Sequence, residues 1–578
     1  MSAARRSSLG PALYGALFVV VLPALLFAWE RALAAQLRWA IPALPWPGGA
    51  LAAIGLALML AGMRALVVHG DGLPMNAYPT RRFVSRGPYA LVSHPIYVGA
   101  FLFALGLSAA AGSAVGVAIV SPVLGLMMLS LLWGYERPAL LARFGDAPRT
   151  HLPLVAWPPA DERPASPPRR VLAAALVAAT WFGAGCLVDR IHAGAPGGAF
   201  AGTMHLDVPH ALATLAPLAF VLTGVLFART LHRLRTALTT ALTWALLSLL
   251  AYVTIPALGS GDGRAWLLAD ALAATFAAAH VPVWNALRRA TEWVANSRRD
   301  VLLLGGRLRV ISHAAFSFTM GVVGAWLMCA ALREPAAVVL TIACATAGAA
   351  LYAQASWGSA SLLRPFGFWG AVPGMLVALL VSRAAWGVAP LDVVLAATLC
   401  APWAQAVGRL RCLAQGCCHG VPTDERLGIR VWQPQSRVVV LSKLEGRWIL
   451  PTQLFSILFN LVLGALLVSA WLTRALPVTT IAGLYFLLTG IERFAEDAYR
   501  GETQTRVIRG LKEPQWIDLG SCVGGLLLAT VPSAFPTPGT LAPAAADVTA
   551  MLASGAIAAF AMSIDFPRAR WRFSRLSG

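Results

Sequence analysis

An all-α, polytopic integral membrane protein is the fold class this sequence predicts, and three observations predict it. Hydrophobic residues make up 58% of the 578-residue chain and charged residues only 12%, against about a quarter charged in soluble domains. The mean hydropathy is +0.70. Apolar runs of roughly 18 to 22 residues recur along nearly the whole chain, and because about 20 such residues cross a hydrocarbon core as a helix, they predict about 16 transmembrane helices in three modules. The same pattern excludes a soluble enzyme, a nucleic-acid binder and a β-barrel.

The elements follow in chain order. Arg5 and Arg6 precede an apolar stretch at about residues 9 to 29, which is long and lacks a small-residue cleavage site, so it is expected to be a retained anchor. A proline-rich, charged segment, Ala147 to Arg170, cannot continue a membrane helix. It closes a first module, residues 1–165. A second polar break, Arg288 to Arg309, closes a middle module at residues 166–300 and opens a third at 301–578. Positive charge is carried almost wholly by arginine, with Lys443 and Lys512 the two lysines, and the formal net charge is +20. Cytoplasmic loops that follow the positive-inside rule explain most of it, and guanidinium forks suited to lipid phosphate offer a second reason for particular positions. Cysteines 186, 329, 344, 400 and 522 lie in apolar helices, where a thiol behaves as a small hydrophobe.

Chemistry-bearing residues concentrate in a few segments. In the first module, Gly87-Pro88-Tyr89 and His94-Pro95-Ile96-Tyr97-Val98-Gly99 precede an apolar helix, and Tyr135-Glu136-Arg137-Pro138 follows another. Ring nitrogens and a carboxylate at membrane depth need partners. In the middle module Asp189, His192, His205, Asp207 and His210 gather near span ends without a helical ligand spacing, so no metal is expected there and the module's role is unassigned. In the third module Gly408-Arg409 is followed by Arg411, Cys412, Gln415, Cys417, Cys418 and His419. Cys-x4-Cys-Cys-His lacks the second knuckle of a usual zinc template, so no metal is expected at these residues either. A disulfide from Cys412 and simple packing of small residues remain open. Further on stand Pro451-Thr452-Gln453-Leu454 and Arg493-Phe494, with Glu496, Asp497 and Arg500 after them.

Two family resemblances rest on these motifs. Gly-Pro-Tyr, His-Pro-x-Tyr-x-Gly and Glu-x-Pro-x-Leu-x-x-x-Phe-Gly, over about residues 45 to 160, resemble the isoprenylcysteine carboxyl methyltransferase and phospholipid methyltransferase superfamily. The resemblance implies an S-adenosylmethionine pocket lined by Tyr89, His94, Pro95, Tyr97, Gly99 and Glu136. Arg137 stands where a second acid is common. Gly408-Arg409, Gly370-x-x-x-Gly374, Pro451-x-Gln453-Leu454 and Arg493-Phe494 with Arg500, over about residues 305 to 535, resemble prolipoprotein diacylglyceryl transferase. That family moves a diacylglyceryl group from phosphatidylglycerol to the cysteine thiol of a lipoprotein precursor in the bacterial inner membrane, and it needs no cofactor for this module. The resemblance implies that Arg409 and Arg493 hold phosphate. It further implies that Gln453, Asp497 and Arg500, with Trp369, Gly370 and Gly374, bind or orient the donor. If a base is needed to form the acceptor thiolate, His419 or His313 is the nearest candidate by sequence; otherwise the acceptor thiol ionises by itself. Trp369 replaces a histidine or tyrosine of the family, and Leu450 replaces a histidine. Orientation is in conflict: counting spans from an inside N-terminus makes the Gly408–Leu450 loop cytoplasmic, whereas the resemblance implies a periplasmic loop.

Overall fold

The computed structural model describes residues 16, 20–37, 39, 41–72, 80–150, 284–357, 366–502 and 505–569. They belong to two compact units, one within Met1–His280 and one within Val281–Gly578. The middle module lies outside the described residues up to residue 283, and with it the group from Asp189 to His210. Eight described helices are long and apolar enough to cross a membrane, with two shorter apolar helices beside them. The described residues thus show a multi-pass, helical membrane architecture; the figure of about 16 spans extends to segments outside them.

The first unit contains α1 (Leu22–Leu37), α2 (Pro45–Gly70) and α3 (Pro95–Ala110), then one long helix, α4, over Gly116–Phe144. Helices α2 and α3 meet backbone to backbone. A Cβ on Gly99 would stand 2.5 Å from the Gly55 carbonyl oxygen, and one on Gly106 would stand 2.4 Å from the Ala52 amide nitrogen. Small residues permit this approach, which is how helices gain van der Waals contact where lipid is as apolar as leucine. Within α4 two π turns occur, Gly116–Val120 and Leu132–Glu136. Such insertions cluster at functional sites, and the second one carries Glu136.

The second unit begins with α5, a helix at residues 284–295, and an antiparallel hairpin of β1 (Asp300–Leu303) and β2 (Leu308–Ile311). Then come α6 (Ala314–Leu332), α7 (Pro335–Trp357), α8 (Ala371–Trp386) and α9 (Pro390–Gln415). A long loop holds the small hairpin of β3 (Ile429–Arg430) and β4 (Trp448–Ile449) before α10 (Thr452–Leu472) and α11 (Val478–Ala498). A further hairpin, β5 (Val507–Ile508) and β6 (Leu511–Lys512), leads into α12 (Glu513–Thr530), α13 (Ala545–Ser563) and β7 (Ile564–Asp565), which pairs with β2. The polar break near Arg288 is therefore built structure. Its side chains satisfy the loop backbone: Arg288 donates to the Gly428 carbonyl at 3.0 Å, and Asn296 donates to the Arg430 carbonyl at 2.9 Å. Arg309 on β2 holds β7 through the carboxylate of Asp565, with Nε donating at 2.9 Å.

Helix α11 is the most enclosed of the described spans. It lies close to α12, where a Cβ on Gly525 would meet the Leu487 amide nitrogen at 2.5 Å. That centrality means any charge on its inward face is removed from water.

Candidate functional site

The inward face of α11 carries charge. Arg493, Glu496, Asp497 and Arg500 fall at i, i+3, i+4 and i+7, so a helical path places them on one side. All four are buried, as are Arg409 at the end of α9 and Asp518 on α12. Arg409 Nη2 donates to both oxygens of Glu496 at 3.0 Å, and its Nε donates to Ser456 Oγ on α10 at 3.0 Å. Arg500 reaches the same Glu496 at 3.1 Å and Asp497 at 2.8 Å. Arg493 lies 3.7 Å from Asp497 and 3.9 Å from Asp518. Three guanidinium groups thus face three carboxylates in a dry interior, where removing one partner would strand its neighbour at about 3–5 kcal/mol. Among the described residues, Nη1 of Arg409 and Nη1 of Arg500 have no hydrogen-bond acceptor. Those two donors are available to an anion.

Beside this network runs the thiol loop. Gly416 ends α9 in the left-handed region at φ 75°, a conformation that glycine adopts without Cβ strain. The chain then folds back, so the Cys417 amide donates to the Cys412 carbonyl at 3.1 Å. Residues 419 to 421 lie between two neighbours: the Gly420 amide donates to Leu450 at 3.0 Å, and the Val421 amide donates to Tyr499 at 2.9 Å. Gln453 Nε2 donates to the Cys417 carbonyl at 2.7 Å, and the Cys418 amide donates to Glu502 at 3.0 Å. Cys412, Cys417 and Cys418 are free thiols, so the disulfide left open by the sequence is not formed.

The structure brings Arg409, Arg493, Asp497 and Arg500 into one network. Gln453 adjoins it through Cys417. Trp369 joins it by donating from Nε1 to Asp518 Oδ1 at 3.2 Å. Gly370 and Gly374 instead face α7, where a Cβ would stand 2.5 Å from the Gly348 carbonyl oxygen and 2.1 Å from the Cys344 carbonyl oxygen, respectively. His419 is turned toward the loop, its Nδ1 at 3.0 Å from the Gly420 carbonyl and its Nε2 at 2.7 Å from Ser442 Oγ. His313 is buried between Ser563 and Gln415, each at 2.8 Å, and burial together with nearby Arg411 holds its imidazole well below the ordinary value. Glu496 and Asp518 are site residues that the sequence reading did not single out. Glu496 was recoverable, because an acid three residues after one arginine and four before another, on an apolar span, has no cheaper role than pairing them.

In the first unit Tyr97 donates its hydroxyl proton to Glu136 Oε1, and the His94 and Tyr97 rings stack with centroids 6.2 Å apart. Burial pushes the His94 imidazole down to about 4, with Arg137 adding to the effect. Burial also raises the Tyr89 hydroxyl above its ordinary value, as does Glu136. Tyr89, His94, Tyr97 and Glu136 are therefore one electrostatic cluster. Pro95 and Gly99 sit on the face of α3 that packs against α2, near Gly62 and Gly55.

Comparison with known proteins separates the two units in the same way. Residues 306–531 match the family model for prolipoprotein diacylglyceryl transferase. Residues 45–147 match that for phospholipid methyltransferase. The chain is also similar to phosphatidylglycerol–prolipoprotein diacylglyceryl transferase 2 of Clostridium perfringens (strain 13 / Type A), 30% identical over 128 residues, which is 22% of this chain and 47% of that protein. The aligned part thus spans about half the length of that relative. Both resemblances drawn from the motifs are borne out, and the transferase match encloses the whole buried network from Arg409 to Asp518.

Proposed function

We propose that the second unit is a membrane transferase that moves a diacylglyceryl group from phosphatidylglycerol to a cysteine thiol of a lipoprotein precursor, in the bacterial inner membrane. The observation that carries this reading is the buried network in which Arg409 and Arg500 are each held by a carboxylate with Nη1 left over. In the reaction the bond from the diacylglyceryl carbon to the phosphate oxygen breaks, a carbon–sulfur bond forms, and glycerol phosphate leaves. Negative charge grows on that phosphate as the bond breaks, so donors fixed in advance in a low-dielectric site stabilise the transition state more than the ground state. Glu496 and Asp497 do the fixing. Arg409 and Arg500 are already paired with Glu496 before the donor enters, so the phosphate meets two hydrogen-bond donors and not a bare excess of charge. Both ring nitrogens of His419 already have partners, and an acceptor thiol with an ordinary pKa of about 8.5 supplies its own thiolate by ionisation.

The test is transfer by the full-length protein in liposomes containing phosphatidylglycerol labelled in the glycerol carbons of its diacylglyceryl group, with a peptide bearing one cysteine directly after its hydrophobic membrane-inserting segment. The expected product is labelled peptide with a base-stable thioether and an equimolar amount of glycerol phosphate. Labelled peptide without glycerol phosphate would overturn the reading, as would no label.

The cluster of Tyr89, His94, Tyr97 and Glu136 supports a second activity in the first unit, methylation of a lipid or lipidated substrate. The donor set suits S-adenosylmethionine: a carboxylate for its ammonium or ribose hydroxyls, an imidazole held neutral, and tyrosine hydroxyls. That molecule supplies an activated methyl group. Glu136 would orient it, Tyr97 would hold Glu136 in place, and His94 beside the mouth of α3 would remain uncharged and so not repel a sulfonium cation.

A further inference from the structure

The thiol loop beside Arg409 has a composition that the transferase reading does not use. The Sγ atoms of Cys412, Cys417 and Cys418 all lie within 4.8 Å of one another. Metal–sulfur bonds of about 2.3 Å at near-tetrahedral angles require sulfurs roughly 3.8 Å apart, so small rotamer adjustments suffice for one ion to touch all three. The other cysteines in the described residues, Cys329, Cys344, Cys400 and Cys522, are dispersed along separate helices, as packing thiols are.

The surroundings favour a thiolate cluster over a packing cluster. The Cys417 thiol donates to the Cys412 carbonyl at 3.9 Å, and Arg409 and Arg411 stand within three residues of Cys412 on the same helix. Three thiolates around a singly or doubly charged ion leave a net negative charge, which these arginines offset. Neighbouring hard donors are committed elsewhere: Glu502 accepts from the Cys418 amide, and both ring nitrogens of His419 have partners. Cys418 itself has a positive φ of 56°, a conformation that costs a non-glycine residue about 1–3 kcal/mol and persists where something else depends on it. In the sequence the three cysteines match no zinc template; the helix-ending turn at Gly416 makes the site by folding Cys417 back onto Cys412.

We propose that Cys412, Cys417 and Cys418 form a three-thiolate site for a single thiophilic d10 ion, Cu(I) or Zn(II). An all-sulfur donor set selects soft ions over magnesium or calcium, and binding releases the three thiol protons to solvent. Cu(I) is satisfied by three sulfurs, whereas Zn(II) needs a fourth, solvent-derived ligand. The site does not depend on the transfer chemistry, though it would stiffen the turn whose carbonyls are held by Thr452 and Gln453.

The experiment uses full-length protein purified in detergent under reducing, anaerobic conditions, titrated separately with Cu(I) and Zn(II) against chelators of known affinity. One equivalent of ion is expected per chain, with the three thiols protected from alkylation until the chelator is in excess. Cys417→Ser should lower affinity at least 100-fold, while Cys344→Ser should leave it unchanged. Tight binding of Cu(I) alone or of Zn(II) alone identifies the ion and supports the proposal. Should Cys417→Ser prove unstable, protection of the wild-type thiols, located by mass spectrometry of alkylated peptides, decides the matter independently. Failure to bind either ion, protection of other cysteines, or a disulfide within the cluster of the purified reduced protein would overturn it.

Discussion

Arg409 shows what a single side chain has to do at this site. Its Nε is used by Ser456, its Nη2 by Glu496, and Nη1 remains for a ligand, so the planar fork divides three tasks among three nitrogens. Lysine keeps the charge but cannot divide it in this way. Arg409→Lys is therefore expected to lower diacylglyceryl transfer by about tenfold to a hundredfold, the equivalent of one charge-assisted hydrogen bond, with an unchanged melting temperature within a few degrees. Equal transfer rates for the variant and wild type in the liposome assay would remove Arg409 from phosphate binding. In the first unit, Glu136→Ala and His94→Ala are each expected to weaken S-adenosylmethionine binding to the full chain by about 1–3 kcal/mol, the usual result of stranding a polar partner, measured by calorimetry. The pH dependence has a definite sign. The folded His94 protonates near 4, whereas an unfolded histidine does so near 6.5. Between those values the unfolded chain binds more protons, so stability contributed by neutral His94 is complete above about pH 6.5 and is lost as pH falls toward 4. Cofactor binding by the folded protein should accordingly stay level on acidification until the pH approaches the folded His94 value near 4 and fall there in the wild type. In His94→Ala that acid limb should be absent.

At the scale of helices, glycine positions divide into those that set interhelical distance and those that do not, and α12 holds one of each side by side. A Cβ on Gly525 would meet the Leu487 amide nitrogen at 2.5 Å, whereas one on Gly524 would have nothing within 4 Å. Gly525→Ala should therefore push α12 from α11, moving Asp518 relative to Arg493, and destabilise the protein by about 1–3 kcal/mol. Gly524→Ala should be neutral. Thermal unfolding in detergent, followed by tryptophan fluorescence, reads both, and equal midpoints would show that α11 and α12 are not in close contact. This distinction was not legible in the sequence, where both glycines sit in one apolar run. Span existence was legible, because hydropathy averages over about 20 residues. The arginines of the network were legible because charge inside a span needs a reason. Gly370 and Gly374 were read as lining the donor site, yet they pack against α7, since a glycine motif looks the same whether it admits a ligand or a neighbouring backbone. The three thiols were legible as a motif but their convergence was not: it depends on one left-handed turn at Gly416, and linear spacing does not report chain reversal.

For the molecule as a whole, function turns on which side of the membrane the Gly416–Leu450 loop faces. Span counting with arginines inside makes it cytoplasmic, while a lipoprotein precursor presents its thiol at the outer face. Arg430 in the loop and Arg288 on α5 have a structural reason to exist that is independent of topology. Arg430 lies over the rings of Trp448 and Trp432 at 4.4 and 5.0 Å, and Arg288 lies over Trp448 at 5.4 Å. Cations stacked on aromatic faces serve the local fold, so these two arginines do not report orientation. Span parity turns on the segment before the third module, because one additional or missing span between residues 166 and 283 reverses every later side. Outward exposure of the loop is the arrangement that agrees with the transferase reading. Glu445 lies at the exposed tip between the 437–440 turn and β4, clear of the buried thiols, so Glu445→Cys provides a reporter that leaves the network intact. In intact cells a membrane-impermeant maleimide is expected to label Glu445→Cys above the wild-type background without permeabilisation. Labelling that appears only after the membrane is opened would place the loop, and Arg409 beside it, on the cytoplasmic side. The acceptor would then have to be a thiol made available inside the cell, because no outward-facing precursor could reach the network.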